Sequence, residues 1–214
     1  MENWIQNHVE PVRQYIPRLL HLVWVGKAAR PDYLDKHILK WTELMPHWTV
    51  RLWTNEDLTD SEVDVDVLSR IHEADKGTQK ADILKYYIVW KYGGIYMDAD
   101  VEPTRSLEPL IFMSDLVICH HAELTWEYIG VGFFAAIQNH PVLKRAVDVC
   151  LHAQLNTGEP HMTTGPRAFG IAVASVPPPA KKYTLLEVDA FYWPEGGITP
   201  NRFGNHFFAK SWDE

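Results

Sequence analysis

Cysteine is scarce in this chain, and no segment has the pattern of a membrane span. The 214 residues include only Cys119 and Cys150, both flanked by apolar residues, so we expect two buried reduced thiols rather than a disulfide. No apolar run reaches about eighteen residues, and residues 1–6 (MENWIQ) lack the basic and apolar regions of a secretory signal. These absences predict a chain without a transmembrane segment in a reducing, cytoplasmic compartment.

The chain also lacks a basic patch. Its formal net charge is −8, and Lys and Arg form no run longer than a pair such as Lys181-Lys182. Proteins that bind nucleic acids usually present a basic face, so we expect no nucleic-acid partner. The sequence is instead rich in aromatic residues, with nine Trp and nine Tyr. These side chains fill cores, but they also stack on nucleobases and on the apolar faces of sugar rings.

The order of apolar runs and helical patterns predicts an α/β fold in which helices flank a mostly parallel or mixed sheet. The length suits one domain over residues 1–214, and a single domain cut from a longer chain fits equally. The predicted strands cover residues 19–25, 48–53, 95–97, 116–119, 132–137 and 182–188. The predicted helices cover residues 32–45, 78–92, 141–155 and a segment from 165 to 176, with a further helix start at 54–55 and an irregular tail from 191.

The clearest helix, residues 78–92, is followed by a short strand that ends in two carboxylates. Thr78, Asp82 and Lys85 are four and three residues apart, so they share one face of this helix. A pair of glycines at 93–94 ends the helix, and the strand after them leads into Asp98-Ala99-Asp100. Ligands of open α/β sheets collect beyond the carboxyl ends of strands, so we expect the functional site here.

Asp98 and Asp100 are candidate metal ligands. In a continuous strand they would point to opposite faces, but a turn after the strand would let both approach one cation. Carboxylates that leave room for water and diphosphate oxygens suit Mg²⁺ or Mn²⁺. A solvated acidic turn is the alternative, and it is the commoner origin of such a pair. The apolar strand before the pair and the nearby helix face with Asp82 and Lys85 favour the metal site.

Three other candidates have ordinary structural explanations. Trp24 ends a buried strand and can be a core residue or a platform for a base. Asp82 and Lys85 can form an ion pair on the helix surface, which would stabilise the helix by only about 0.2–0.5 kcal/mol. His206 is a lone histidine, and such residues are usually structural or exposed.

Several segments together resemble the DXD-containing sugar transferases, namely the glycosyltransferase family 32 of the yeast initiating α-1,6-mannosyltransferase and of capsular polysaccharide transferases. More distantly, the chain resembles the clostridial glucosylating toxins. The resemblance covers roughly residues 16–212 and implies a GT-A fold, a nucleotide-sugar donor, a divalent metal, usually Mn²⁺, and retention of anomeric configuration. Its segments are 79–86 (QKADILKY) with 93–101 (GGIYMDADV), 20–26 (LHLVWVG), 52–55 (LWTN), 164–166 (TGP), and His206 followed by Ser211-Trp212.

The resemblance also implies roles for individual residues. Asp82, Asp98 and Asp100 are the expected catalytic residues, and Asp98, Asp100 and His206 are the expected metal ligands. Lys85 stands where these relatives commonly have arginine, and lysine keeps the positive charge but lacks the planar group that makes bidentate contacts. Donor binding is expected from Val23, Trp24, Asp82, Lys85, Asp98, Gly165, Ser211 and Trp212.

The sequence therefore predicts a metal-dependent retaining glycosyltransferase for polysaccharide synthesis, with a glycan or other hydroxyl acceptor. A UDP-sugar is favoured as donor, and GDP-mannose comes second. Glu123 and Glu127 lie in a predicted loop where acceptor contacts are expected. Two alternatives stay open. A phosphatase of the haloacid-dehalogenase type also uses two aspartates after a strand, although its motif is expected near the N-terminus. A non-catalytic nucleotide-sugar-binding module would keep the same donor groups.

Overall fold

A computed structural model describes residues 15–121, 129–180, 182–192 and 202–208 of the chain. No helix in these ranges is long and apolar enough to cross a membrane. The strands are β1 (Leu19–Val23), β2 (Thr49–Trp53), β3 (Gly94–Met97), β4 (Val101–Pro103), β5 (Leu116–His120), β6 (Ile129–Ala136), β7 (Thr184–Leu186) and β8 (Gly204–His206). The helices are α1 (Asp32–Leu44), α2 (Val65–Glu73), α3 (Gly77–Tyr92), α4 (Pro141–His152), α5 (Pro160–Thr163) and α6 (Pro166–Ser175), with 3₁₀ turns at Asn55–Asp57, Glu108–Phe112 and Val188–Ala190.

Six strands form a mixed sheet in the order β2-β1-β3-β6-β5-β7. Strand β1 pairs parallel with β2 and β3, and β5 pairs parallel with β7. Strand β6 runs antiparallel to both of its neighbours, so it begins at the edge of the sheet where β3 and β5 end. The α/β prediction is confirmed. Strands β4 and β8 form a separate antiparallel pair beside this edge.

Helices and loops cover both faces of the sheet, which is why the central strands are apolar on both sides. Leu20 and Leu22 of β1 belong to a core cluster that includes Trp41 of α1, whereas Val23 belongs to the cluster packed by α2, α3, α4 and α6. Strands buried on both faces read as continuous apolar runs. Cys119 and Cys150 are free thiols buried in this core, as predicted.

The turn between α3 and β3 requires glycine. Gly93 and Gly94 have φ angles of +66° and +104°, and a Cβ on Gly94 would lie 2.4 Å from the carbonyl oxygen of Leu19. The buried His21 of β1 ties this turn to β2. Its Nδ1 accepts a hydrogen bond from the Trp53 indole at 3.0 Å, so its Nε2 carries the proton donated to the Gly93 carbonyl at 2.9 Å. The turn thereby sets the direction of β3, which leads into Asp98-Ala99-Asp100.

Several predicted elements differ from the structure. Helix α2 was not predicted. Its nine residues are rich in β-branched side chains, which lower helix propensity. In the structure its apolar residues pack on α3. The helix start at 54–55 is only a 3₁₀ turn. The irregular tail is wrong for Gly204–His206, which forms β8. Strand β6 begins at Ile129 rather than 132, and the strand predicted over 182–188 is limited to Thr184–Leu186.

Candidate active site

A cleft of about 780 Å³ opens at the carboxyl ends of β1 and β3. The end of β1, the first turns of α3 and the loop after β3 form its walls, and the residues around the start of α6 close it. This is the crevice in which ligands of open α/β sheets bind. Of the predicted donor-binding residues, those that line it are Val23, Trp24, Asp82, Lys85, Asp98 and Gly165.

A tight turn brings Asp98 and Asp100 together. The amide of Val101 donates a hydrogen bond to the Asp98 carbonyl at 3.1 Å, and the amide of Asp98 donates to Gly132 of β6 at 2.8 Å. The turn interrupts the alternation of the strand, so both carboxylates face the same side chain, His206. Its Nε2 lies 3.0 Å from Asp100 Oδ1 and 3.5 Å from Asp98 Oδ2.

Strand β8 explains how a residue so distant in sequence reaches this turn. His206 is paired with Val101 in the β4–β8 ladder, directly after Asp100. The amide of His206 donates to the Phe191 carbonyl at 3.0 Å, and the amide of Phe207 donates to the Asp100 carbonyl at 3.3 Å. The backbone therefore holds the imidazole beside the two carboxylates.

The chemistry of this cluster fits a divalent cation. One ligand atom from each of Asp98, Asp100 and His206 can be chosen so that all lie within 4.8 Å of one another. His206 is buried, and neither ring nitrogen makes a well-aligned hydrogen bond within the described ranges. The Nε2 of His206 faces the two carboxylates, so a cation between them would have all three groups as ligands. Carboxylate oxygens are typical ligands of Mg²⁺ and Mn²⁺, and one imidazole is compatible with them.

The charges in the cluster depend on one another. Burial raises the pKa of Asp98, while the neighbouring charges of Lys85 and His206 lower it, and the net direction is upward. Burial lowers the pKa of His206, but the carboxylates of Asp100 and Asp98 outweigh this effect and raise the pKa overall. Tyr96 donates a hydrogen bond to Asp98 Oδ1 at 2.6 Å. Burial raises the pKa of Tyr96 well above its usual value, so this hydroxyl remains a donor.

Asp82 and Lys85 form a buried pair on the cleft floor. Lys85 Nζ lies 2.6 Å from Asp82 Oδ1, and the two side chains are only 4% and 8% exposed, respectively. Asp82 Oδ2 accepts a hydrogen bond from Thr164 at 2.8 Å, just before α6. The alternative of an ion pair on the helix surface is therefore wrong, because α3 is covered on nearly every side. The pair lies beside the carboxylate cluster, with Lys85 Nζ 5.2 Å from the centre of the Tyr96 ring.

Trp24 lines the cleft at the end opposite the carboxylate cluster. It is half-buried, and its indole donates to the Ala28 carbonyl at 3.2 Å while the side chain lines the cleft with Tyr33. The wall beside it depends on Gly26 and Gly77, because a Cβ on Gly26 would lie 3.0 Å from Gly77 Cα. The backbone at Gly26 and Gly77 is thus packed closely beside Trp24. Trp24 is neither a fully buried core residue nor fully exposed.

Three residues at the site had no role assigned from the sequence. They are Tyr96, Thr164 and Tyr192. Tyr96 and Thr164 lie within the quoted motifs, so their positions were visible although their contacts were not. Tyr192 lies behind His206, with ring centroids 5.3 Å apart, and no local pattern indicates it. Glu123, Glu127, Ser211 and Trp212 lie outside the described residues.

Comparison with known proteins agrees with this geometry. Residues 31–117 match the family described as glycosyltransferase sugar-binding region containing DXD motif. This match covers 87 of the 214 residues, and the chain is similar to the family over that region. The match contains the Asp82–Lys85 pair and both carboxylates of the turn, and it ends before His206.

The curated relatives include several yeast proteins. Inositol phosphoceramide mannosyltransferase 1 of Schizosaccharomyces pombe is 27% identical over 139 residues, 62% of this chain and 42% of the relative. Mannosyl phosphorylinositol ceramide synthase CSH1 of Saccharomyces cerevisiae is 26% identical over 160 residues, 72% of this chain and 41% of the relative. The chain thus spans less than half the length of these relatives.

Solved structures show the GT-A fold. PaToxG glycosyltransferase superimposes with a TM-score of 0.63 at 17% identity, covering 75% of this chain and 69% of that chain. A glycosyltransferase involved in glycosylation of the major capsid of PBCV-1 superimposes with a TM-score of 0.51 at 12% identity, covering 91% and 96%. The predicted fold family is confirmed.

Proposed function

We propose that this chain is the catalytic region of a metal-dependent hexosyltransferase, which moves a sugar from a nucleoside-diphosphate donor to a hydroxyl acceptor. One observation carries the proposal. The Asp98–Asp100–His206 cluster and the Asp82–Lys85 pair lie side by side at one cleft. The first group has the ligands of a divalent cation, and the second can bind a hydroxylated sugar next to a phosphate.

Asp98, Asp100 and His206 would hold Mn²⁺ or Mg²⁺. A cation bound there offsets the negative charge that develops on the departing diphosphate. The protein's part is to keep the ligands in position. Tyr96 orients Asp98 through its hydrogen bond, and the β4–β8 ladder holds His206 against Asp100. Such supporting contacts commonly decide how tightly a metal site binds.

Asp82 and Lys85 would act on the donor sugar and its phosphates. Thr164 and Lys85 each occupy one oxygen of Asp82 and fix its carboxylate at the cleft floor. From there the carboxylate can accept hydrogen bonds from sugar hydroxyls and favour positive charge at the anomeric carbon. Lys85 can counter the charge of the phosphate oxygens. We assign no side chain as nucleophile and propose retention of configuration, with the departing phosphate oxygen accepting the proton of the acceptor hydroxyl.

The relatives' names support mannose as the transferred sugar. Both yeast proteins named above carry mannosyl in their names. GDP-mannose is therefore the first donor to test. The segment 20–26 favours a UDP-sugar, so UDP-glucose and UDP-galactose are the second set. In either case we propose that the base lies against Trp24, at the far end of the cleft from the carboxylates.

The two alternatives make different predictions. A phosphatase of the haloacid-dehalogenase type would carry its aspartates near the N-terminus, whereas here they follow the third strand of the chain. A non-catalytic module would bind the nucleotide sugar without turning it over. The family match supports the transferase over the phosphatase, and turnover separates the transferase from the binding module.

A donor panel tests the proposal. The protein is incubated with GDP-mannose, UDP-glucose or UDP-galactose, with Mn²⁺ or with EDTA, and released nucleoside diphosphate is measured. We expect release from one donor in Mn²⁺ and none in EDTA. Binding without release would favour the non-catalytic module. Hydrolysis of p-nitrophenyl phosphate without release from any sugar donor would favour the phosphatase.

A further inference from the structure

Three aromatic side chains form a wall on the other side of the carboxylate cluster from the donor cleft. The aromatic wall consists of His121, Tyr192 and Phe208, whose ring centroids lie 5.2–6.2 Å apart. His121 follows β5, so the wall lies at the same edge of the sheet as Asp98, but over β5 and β6 rather than over β1 and β3. The side chains of the aromatic wall do not line the donor cleft.

The ring of His206 lies between Phe208 and the carboxylates of the cluster. The ring centroid of Phe208 is 4.2 Å from that of His206, which in turn faces Asp100. The φ angle of Phe208 is +49°, a left-handed conformation that bulky side chains rarely adopt. Residues in such conformations are held by the structure around them, and they cluster at active sites and ligand clamps. Phe208 is nevertheless 38% exposed, so part of this side chain is open to solvent while its ring packs on that of His206.

Tyr192 lies against Gly130 and Gly132 of β6, beside the cluster. A Cβ on Gly130 would lie 2.6 Å from the Tyr192 ring, so only glycine leaves room for it there. A Cβ on Gly132 would lie 2.7 Å from Asp98 Oδ2 and 3.1 Å from the Tyr192 hydroxyl, so these two oxygens face the same small space. Tyr192 is 2% exposed, and the backbone of Gly132 and Phe133 lies within hydrogen-bonding reach of its hydroxyl. Tyr192 is therefore the buried part of the aromatic wall, next to Asp98.

The geometry of transfer indicates what fills this region. An acceptor hydroxyl must come within about 3–3.5 Å of the anomeric carbon, which lies next to the diphosphate. If the donor fills the cleft over β1 and β3, the acceptor must approach from another side of the cluster. The wall offers the partly exposed ring of Phe208 there. Six-membered polyhydroxylated rings have one apolar C–H face, which suits stacking on an aromatic ring.

We propose that His121, Tyr192 and Phe208 form the acceptor subsite, and that the open face of Phe208 stacks on a pyranose-type ring of the acceptor. This inference rests on the proposed transferase function. It names the acceptor class as a cyclic sugar or sugar-like ring rather than an open-chain alcohol or a protein hydroxyl.

The test measures how the donor sugar is divided between acceptor and water. Wild-type protein, Phe208→Ala and Phe208→Tyr are incubated with Mn²⁺ and the donor that gives the most nucleotide release. Methyl α-D-mannopyranoside is the ring probe, and mannitol is the open-chain probe at the same concentration. The ratio of transfer product to free sugar is compared within each reaction, so loss of folded protein cancels. Phe112→Ala is the matched control, because Phe112 is 45% exposed and packs on Tyr15 away from the site.

We expect wild type to transfer to the pyranoside and not to mannitol. Phe208→Ala should lower the ratio about tenfold, Phe208→Tyr should recover most of it, and Phe112→Ala should match wild type. An unchanged ratio in Phe208→Ala, equal use of mannitol, or no transfer to the pyranoside would overturn the subsite while nucleotide release stayed intact. Absence of nucleotide release from every donor would overturn the proposed function and this inference with it.

Discussion

Lys85 Nζ lies 2.6 Å from Asp82 Oδ1, and both side chains are almost fully buried at the floor of the cleft. Removing two charges from water is costly, and their attraction has to compensate for that loss. A buried ion pair is therefore weak evidence for a role in stability alone. Its position beside the Asp98–Asp100–His206 cluster indicates that the charges are kept for the ligand.

The pair should be sensitive to the loss of one partner. Lys85→Met leaves the Asp82 carboxylate buried without its counter-charge, and we expect the free energy of unfolding to fall by about 3–5 kcal/mol. Urea denaturation measures this change. Lys144→Met is the matched control, because Lys144 pairs with Asp148 on the exposed surface of α4, and its loss should cost less than about 0.5 kcal/mol. Equal effects of the two substitutions would contradict the account of Lys85.

Tyr96 should tune the metal site through one hydroxyl group. Tyr96→Phe keeps the ring but removes the 2.6 Å hydrogen bond to Asp98 Oδ1, and we expect the Kd for Mn²⁺ to rise by about 10- to 100-fold. Electron paramagnetic resonance of free Mn²⁺ measures the Kd without turnover. Tyr87→Phe removes an equivalent bond, 2.7 Å long, to Asp64 away from the cleft. It should leave the Kd unchanged, and an unchanged Kd in Tyr96→Phe would refute the positioning role.

Trp24 should contribute to binding of the base. Trp24→Ala is expected to weaken binding of GDP or UDP, in the presence of Mn²⁺, by about 1–3 kcal/mol, the usual contribution of aromatic stacking on a base. Titration calorimetry gives the affinity. Trp90→Ala removes a partly buried tryptophan that does not line the cleft and should leave the affinity at the wild-type value. If both variants bind as wild type does, Trp24 is a packing residue.

His21 should make stability depend on pH. Burial lowers the pKa of His21 from 6.5 to about 4, so between these values the unfolded chain binds a proton that the folded chain does not. The stabilisation is complete above pH 6.5, and we expect the free energy of unfolding to fall by roughly 3 kcal/mol as the pH drops from 6.5 to 4. His140 contributes in the same direction, because burial also lowers its pKa to about 4.

Comparison with variants isolates the contribution of His21. His21→Gln keeps an acceptor for the Trp53 indole and a donor for the Gly93 carbonyl but does not titrate. Denaturation at each pH should therefore show a shallower slope between pH 4 and 6.5 for this variant. The exposed His72→Gln should keep the wild-type slope. A slope that does not change in His21→Gln would mean that His21 takes up its proton without unfolding.

Elements marked by local patterns could be predicted from the sequence. The apolar run of β1 and the glycine pair after α3 indicate their structures within a few residues, and the helix expected at 78–92 is observed at Gly77–Tyr92. Asp82 and Lys85 were placed on one helix face by spacing alone. Their burial was not predicted, because whether a helix face is covered depends on α2, α4 and α6, which are distant in sequence.

The remaining part of the site depends on non-local pairing. His206 was reached through a family resemblance, since nothing in residues 204–206 indicates that they pair with 101–103. Tyr192 was missed for the same reason. Its position depends on the absence of side chains at Gly130 and Gly132, more than fifty residues earlier. Short strands carry little pattern of their own, and only the folded ladder shows which residue stands beside which.

Calorimetric titration of GDP and UDP into the protein, with Mn²⁺ or with EDTA, tests the central claim most directly. The claim is that Asp98, Asp100 and His206 hold a cation to which the donor's diphosphate binds. We predict nucleotide binding in Mn²⁺ that is lost in EDTA and lost in Asp100→Asn, while Asp60→Asn, a change at an exposed turn, binds as wild type does. Equal nucleotide affinity with Mn²⁺ and with EDTA, or an Asp100→Asn variant that binds as tightly as wild type, would contradict the account.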